Sequence, residues 1–164
     1  VKSILEAARW APSCFGDQPW KFIIFQKKDA LQWVNALNCL SVGNQNWAMD
    51  TSLLICVCAN KKFKHNDNEN KWSQYDTGAA SENICLQSTY LGLAAHQMGG
   101  FDSDKIRNLA NIPVEFDVMS FIAVGKPLAK KLMTVEQVEA EGSARKRLKL
   151  NEIYFENKWD NFEG

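Results

Sequence analysis

An α/β or α+β fold, helices packed on the faces of one sheet, is what the sequence predicts, and three observations carry that expectation. Apolar runs of strand length, around residues 53–59 and 121–124, alternate with segments whose apolar residues recur at helical spacing. Proline and glycine punctuate the chain between them, at Pro12, Gly16, Pro19, Gly99, Gly100 and Pro127. The length, 164 residues, suits one domain that buries roughly two thirds of its unfolded surface.

Residues 1–10 read as a helix with Ile4, Leu5 and Ala8 on one face. It ends at Ala11, because the residue before Pro12 is pushed out of helical backbone. Pro12, Gly16 and Pro19 keep the next segment irregular, and it runs into a first strand, Trp20–Gln26. Asp29 can cap a second helix through about Leu37, with Leu31, Val34 and Leu37 as its stripe. Residues 38–46 read as a polar turn. Residues 52–59 are a second strand, apolar almost throughout, which suits a strand covered on both faces. Residues 61–71 form a charged, asparagine-rich loop.

The longest predicted helix is 74–98. Its apolar residues surround most of the circumference, the mark of a buried helix. In so small a protein that burial calls for a partner subunit as well as the chain's own sheet, the alternative being the central core helix of a monomer. Gly78, Ala79, Ala80 and Ser81 are small enough to admit another backbone. Gly99-Gly100 stops this helix, and Asp102 or Ser103 caps a short one through Ala110. Residues 118–125 are a third strand. Beyond Met133 the chain becomes strongly charged; 136–141 reads as helical, and 149–159 as an arm laid over something else.

Several functions are disfavoured. Nineteen basic side chains balance nineteen acidic ones, so no global field draws a nucleic acid. No apolar run approaches the roughly 20 residues of a membrane span, and the start lacks a secretory layout. A soluble cytoplasmic protein is the default expectation. Of the five cysteines, Cys39, Cys56, Cys58 and Cys85 sit among apolar residues and read as small core hydrophobes. Cys56 and Cys58 can share a strand face, but no second Cys/His pair at metal spacing accompanies them. Cys14 is a candidate thiol with no histidine near it in sequence. No Ser/His/acid set, carboxylate pair or Gly-Lys-Ser/Thr loop is present.

The chemistry concentrates in APSCFGDQPWKFIIF, residues 11–25, a polar loop anchored by an apolar strand. Read alone, it could also be an ordinary helix-to-strand connection. Three later segments follow it: TGAASENICLQSTYLGLAAHQMGGFD, FIAVGKP and ARKRLKLNEIYFENKW. Together, in this order, the four resemble the nitroreductase family of FMN-dependent NAD(P)H oxidoreductases across nearly the whole chain.

The resemblance implies an α+β, three-layer α/β/α sandwich with a mixed, mainly antiparallel sheet and a long central helix. It implies one domain, 1–164, whose C-terminal arm, 142–164, is exchanged in a homodimer. It implies hydride transfer from NAD(P)H through FMN, held between the subunits, to nitroaromatic, quinone or related acceptors, with ping-pong kinetics and no catalytic side chain. Ser13, Gly16 and Gln18 match the family's flavin loop. Asn44, or else Asn46, matches an asparagine that approaches the isoalloxazine. Gly99 and Gly100 match the turn whose N–H faces flavin N5. Arg145 and Arg147, with Lys146 sharing the work, match the phosphate-gripping cluster; without the likeness this cluster reads as a solvated basic patch. Two departures stand out. Gly16 replaces the family's usual asparagine, and the family's arginine-rich turn upstream of the first helix has no counterpart in residues 1–164. Both leave room for a flavin-binding or sensing protein without efficient turnover, or a ligand-free dimeric scaffold. The natural substrate and the choice of NADH or NADPH are not legible.

Overall fold

The computed structural model describes residues 1–159, apart from the Ala140 side chain, and divides into two compact units, 1–127 and 128–164. The first is built on an antiparallel sheet of β1 (Trp20–Gln26), β2 (Leu53–Asn60), β3 (Ala94–Met98) and β4 (Phe116–Gly125), ordered β1-β2-β4-β3. Every described pairing is antiparallel, in line with the mainly antiparallel sheet that the resemblance implies. Helices α1 (Lys2–Arg9) and α4 (Ser73–Tyr90) lie on one face. Helices α2 (Ala30–Leu37), α3 (Val42–Ala48) and α5 (Ser103–Ala110) lie on the other. The result is a three-layer sandwich.

Strand β2 shows why. Side chains alternate across a strand, so Leu53, Ile55 and Val57 enter the core beneath α1 and α4, with Ile4, Ala8, Ala80 and Ile84. Leu54, Cys56 and Cys58 enter the opposite core, with Trp33, Ala36, Ala48 and Ile106. Burying each aliphatic side chain contributes about 1.5–3 kcal/mol, which is why an unbroken apolar run belongs at the sheet's centre. Cys56 and Cys58 are core residues with sulfurs 3.9 Å apart, and Cys58 together with burial pushes the Cys56 thiol far up.

Three expectations are corrected. The predicted helix 74–98 is a helix and a strand. Helix α4 ends at Tyr90, where Gly92 adopts φ +72 and the Gly92 and Leu93 amides donate to Thr89 and Ser88 carbonyls. That pair of bonds is a Schellman stop. Leu, Ala and Gln in the next segment favour helix, but pairing with β4 overrides them, so Gly99-Gly100 follows a strand and caps no helix. Residues 38–46, read as a turn, contain the start of α3; Gly43, Asn44 and Asn46 weaken its helical signal while Ala48 packs into the core. The strand predicted at 118–125 is the fourth and begins at Phe116.

Helix α4 is also not apolar all round. It buries Ser73, Asp76, Thr77, Ala80, Ser81, Ile84 and Ser88, and leaves Tyr75, Leu86 and Tyr90 78%, 60% and 84% exposed. The Ser81 and Ser88 hydroxyls donate to the Thr77 and Ile84 carbonyls one turn back, which lets them sit inside without loose donors.

In the second unit, α6 (Val135–Gly142) starts with a capping box: Thr134 Oγ1 accepts from the Gln137 amide and Gln137 Oε1 from the Thr134 amide. Leu148, Leu150, Ile153 and Trp159 are exposed. The end of the expected arm, 160–164, lies outside the described residues.

Candidate functional site

The loop between α1 and β1 is braced from three sides. The Cys14 amide donates to Asp76 Oδ2 at 2.9 Å, tying the loop to the first turn of α4. The Lys64 amide donates to Asp17 Oδ1 at 2.9 Å, and the Lys64 ammonium reaches the Asp17 and Gln18 carbonyls. The Gln18 amide donates to Ser13 Oγ at 3.0 Å, while Gln18 Nε2 donates to the Arg9 carbonyl at the end of α1. That helix end is itself fixed, since the Arg9 fork, with help from the Trp10 indole, draws the Glu6 carboxyl down to about 2. Phe15, Gly16 and Gln18 all have positive φ, at 54°, 66° and 49°.

Left-handed backbone at non-glycine residues persists only where the surroundings enforce it. Here the enforcing groups are two buried carboxylates, Asp17 and Asp76. Replacing Asp76 with alanine is expected to leave the Cys14 amide unpaired and to cost about 1–3 kcal/mol. Thermal unfolding should show that loss, and Asp76→Asn, which keeps an acceptor oxygen, should recover much of it.

The second part of the site is the Gly99-Gly100 turn. Asn44 Nδ2 donates to the Gly100 carbonyl at 2.9 Å, and the Ser41 amide donates to the same oxygen at 2.9 Å. A Cβ on Gly100 would come within 2.8 Å of Asn44 Nδ2 and Ser41 Oγ, so that position has room only for glycine as long as those two side chains stay in place. A Cβ on Gly99 would meet nothing within 4 Å. The turn thus has a packed side, held by Asn44, and an open side at Gly99. Asn46 is exposed and makes no such link, so Asn44 is the asparagine tied to the turn. Trp47 and His96 pack edge-on beside it at 5.1 Å.

The strand register relates the two parts. The loop enters β1 at Trp20, paired with Ala59 at one end of the sheet. The turn leaves β3 at Met98, in register with Phe121, Cys56 and Ile23 half-way along the sheet, the chain there running toward the loop's end. They belong to opposite edge strands, three strand spacings or about 14 Å apart. Ser13, Gly16 and Gln18 therefore form one group, and Asn44, Gly99 and Gly100 another. Arg145 and Arg147 are in the second unit, both exposed, with Arg147 donating to the Lys146 carbonyl at 2.9 Å.

Comparison with known proteins bears on this arrangement. The model of the nitroreductase family matches residues 1–42 and 32–126. The chain belongs to the nitroreductase family. An Archaeoglobus fulgidus member, provisionally named an NADH dehydrogenase/NAD(P)H nitroreductase, is 30% identical over 135 residues, 80% of this chain and 74% of its own. A crystal structure described as an oxidoreductase containing FMN superposes with a TM-score of 0.87 at 31% identity, over 96% of this chain and 80% of that one. A nitroreductase family protein of Clostridium difficile shares the fold at 23% identity, TM-score 0.70, over 96% of this chain and 85% of its own.

In the sequence Asp17 is one more polar residue of the 11–25 loop, and nothing there singles out Asp76, Lys64 or Ser41. Nothing near Asp76 in sequence ties it to a loop 62 residues away; that link exists only once α4 packs against α1. No described helix is long and apolar enough to cross a membrane.

Proposed function

We propose that the protein is an FMN-dependent oxidoreductase that passes hydride from NAD(P)H to nitroaromatic, quinone or related acceptors. The observation that carries this reading is the Gly99-Gly100 turn: one glycine locked by Asn44 and Ser41, the next opening onto free space. A flat ring can approach backbone only where no side chain intervenes, so the donor set and the opening fit an isoalloxazine edge. The likeness to an FMN-containing oxidoreductase at 31% identity supports the same conclusion.

Bound FMN supplies the two-electron chemistry, so no side chain has to be a nucleophile. The chain's residues bind and orient. Asn44 fixes the turn and keeps its amide oxygen for a ring N–H. Ser13, Gly16 and Gln18 present a hydroxyl, an open backbone and an amide. Arg145 and Arg147, with Lys146, supply positive charge and planar forks for phosphate. Since the loop and the turn occupy opposite sheet edges, we infer that each flavin lies between two subunits, the loop of one facing the turn of the other. In this reading residues 1–164 are a single domain and 142–164 is the arm that reaches the partner.

An absorbance spectrum of the purified protein tests this, taken before and after FMN and then after NADPH. A flavin band that bleaches on reduction and returns with a quinone is the expected result. No band and no binding at tens of micromolar FMN would mean that the fold persists without its cofactor.

A further inference from the structure

The loop at 13–18 holds one side chain that nothing in the chain explains. Phe15 is 82% exposed, although burying such a ring would be favourable. Its backbone has φ +54°, a conformation costly for a bulky residue. Behind it, Phe63 packs edge-on at 5.7 Å and His65 at 5.4 Å, and these two rings lie 5.3 Å from each other. Phe63 is buried, so the trio is a rooted aromatic step with Phe15 as its outer tread. The fastening is expensive as well: Asp17 is 7% exposed, and its Oδ2 is buried with no hydrogen-bond partner among the described residues. Strain, a lone buried carboxylate oxygen and an exposed ring fall within three consecutive residues. A loop spends stability in this way where a ligand returns it.

We propose that Phe15 is a specificity-determining residue whose ring forms a wall of the acceptor site and favours planar aromatic acceptors over non-aromatic ones. The proposal rests on the oxidoreductase reading above. Phe15 lies between Ser13 and Gln18, the loop residues assigned to the flavin, so a flavin held by them would have this ring beside it. An exposed phenyl held rigidly by two other rings offers a π-surface to a flat partner at little entropic cost, because its own motion is already restricted. Of the residues flanking the trio, Cys14 is half-buried, while Gly16, Lys62, Lys64 and Asn66 are exposed and lack apolar side chains. That rim suits a small ligand better than a second protein surface.

The experiment uses the full-length protein loaded with FMN, compared with Phe15→Ala, Phe15→Gly and Phe15→Tyr. Glycine removes the ring and relaxes the left-handed backbone, so it separates loss of the ring from strain. In the oxidised protein, without NADPH, the Kd of 4-nitrobenzoate is read from its perturbation of the flavin spectrum. The KM for a nitroaromatic acceptor and for ferricyanide is then measured with NADPH in excess. Alanine and glycine are expected to raise the Kd and the nitroaromatic KM about tenfold, the scale of a lost aromatic contact, with ferricyanide unchanged. Tyrosine should stay within about twofold. Equal effects on both acceptors, or none on either, would overturn the proposal. So would an unchanged Kd with dissociation of the dimer in gel filtration, which would make Phe15 a protomer contact. A wild-type protein that shows no flavin band and binds no added FMN refutes the functional reading itself, and that is seen before any variant is made.

Discussion

Phe121→Ala is expected to destabilise the fold by about 3–5 kcal/mol, a large part of the 5–15 kcal/mol that holds a typical domain together. Phe121 is 0% exposed in the middle of β4, between Cys56 of β2 and Met98 of β3. Truncation loses the transfer energy of the ring and leaves a cavity that two paired neighbours cannot collapse to fill. The ring also packs edge-on against Phe101, 5.5 Å away, and Phe101 bridges to Leu40 directly after Gly100. The damage should therefore reach the Gly99-Gly100 turn. Urea unfolding of the protein without flavin should show a lower midpoint at unchanged slope. A midpoint within experimental error of wild type would mean that this core is not what holds the sheet.

Arg145→Ala with Arg147→Ala is expected to weaken FMN binding by about 10²–10⁴-fold, two hydrogen bonds to a charged group at about 1.5–3 kcal/mol each. Both residues are exposed, so the melting temperature of the flavin-free protein should not move. Lysine at both positions should give an intermediate loss, since it keeps the charge but not the planar fork. Affinity from flavin-fluorescence titration reads the result directly. Should the double variant bind FMN as wild type does, the phosphate is held elsewhere.

What the sequence disclosed depended on range. Strand β2 was legible because seven consecutive buried residues, 53–59, admit few readings, and Asp29 at the start of α2 because capping is local. The segment 91–98 was not, since its composition favours helix and only pairing with β4 makes it a strand; Gly92 was the one local clue. Helix α3 was missed because asparagine and glycine mask a helix that its core contact at Ala48 stabilises. At the site, the loop and the two glycines could be found by eye. The bracing of that loop by Asp76, and of Gly100 by Asn44, spans 62 and 56 residues and no periodicity records it.

Helix α4 buries Ala80 and Ile84 against its own sheet, mixes serines, a threonine and an aspartate into its buried side, and leaves two tyrosines and a leucine outward. In the proposed dimer this outward apolar face ties folding to mass action. Tyr75, Leu86 and Tyr90 leave water only when a second chain covers them, so part of the apolar burial waits for the partner. The folded fraction then depends on total protein concentration as well as on temperature, and dilution acts as a denaturant.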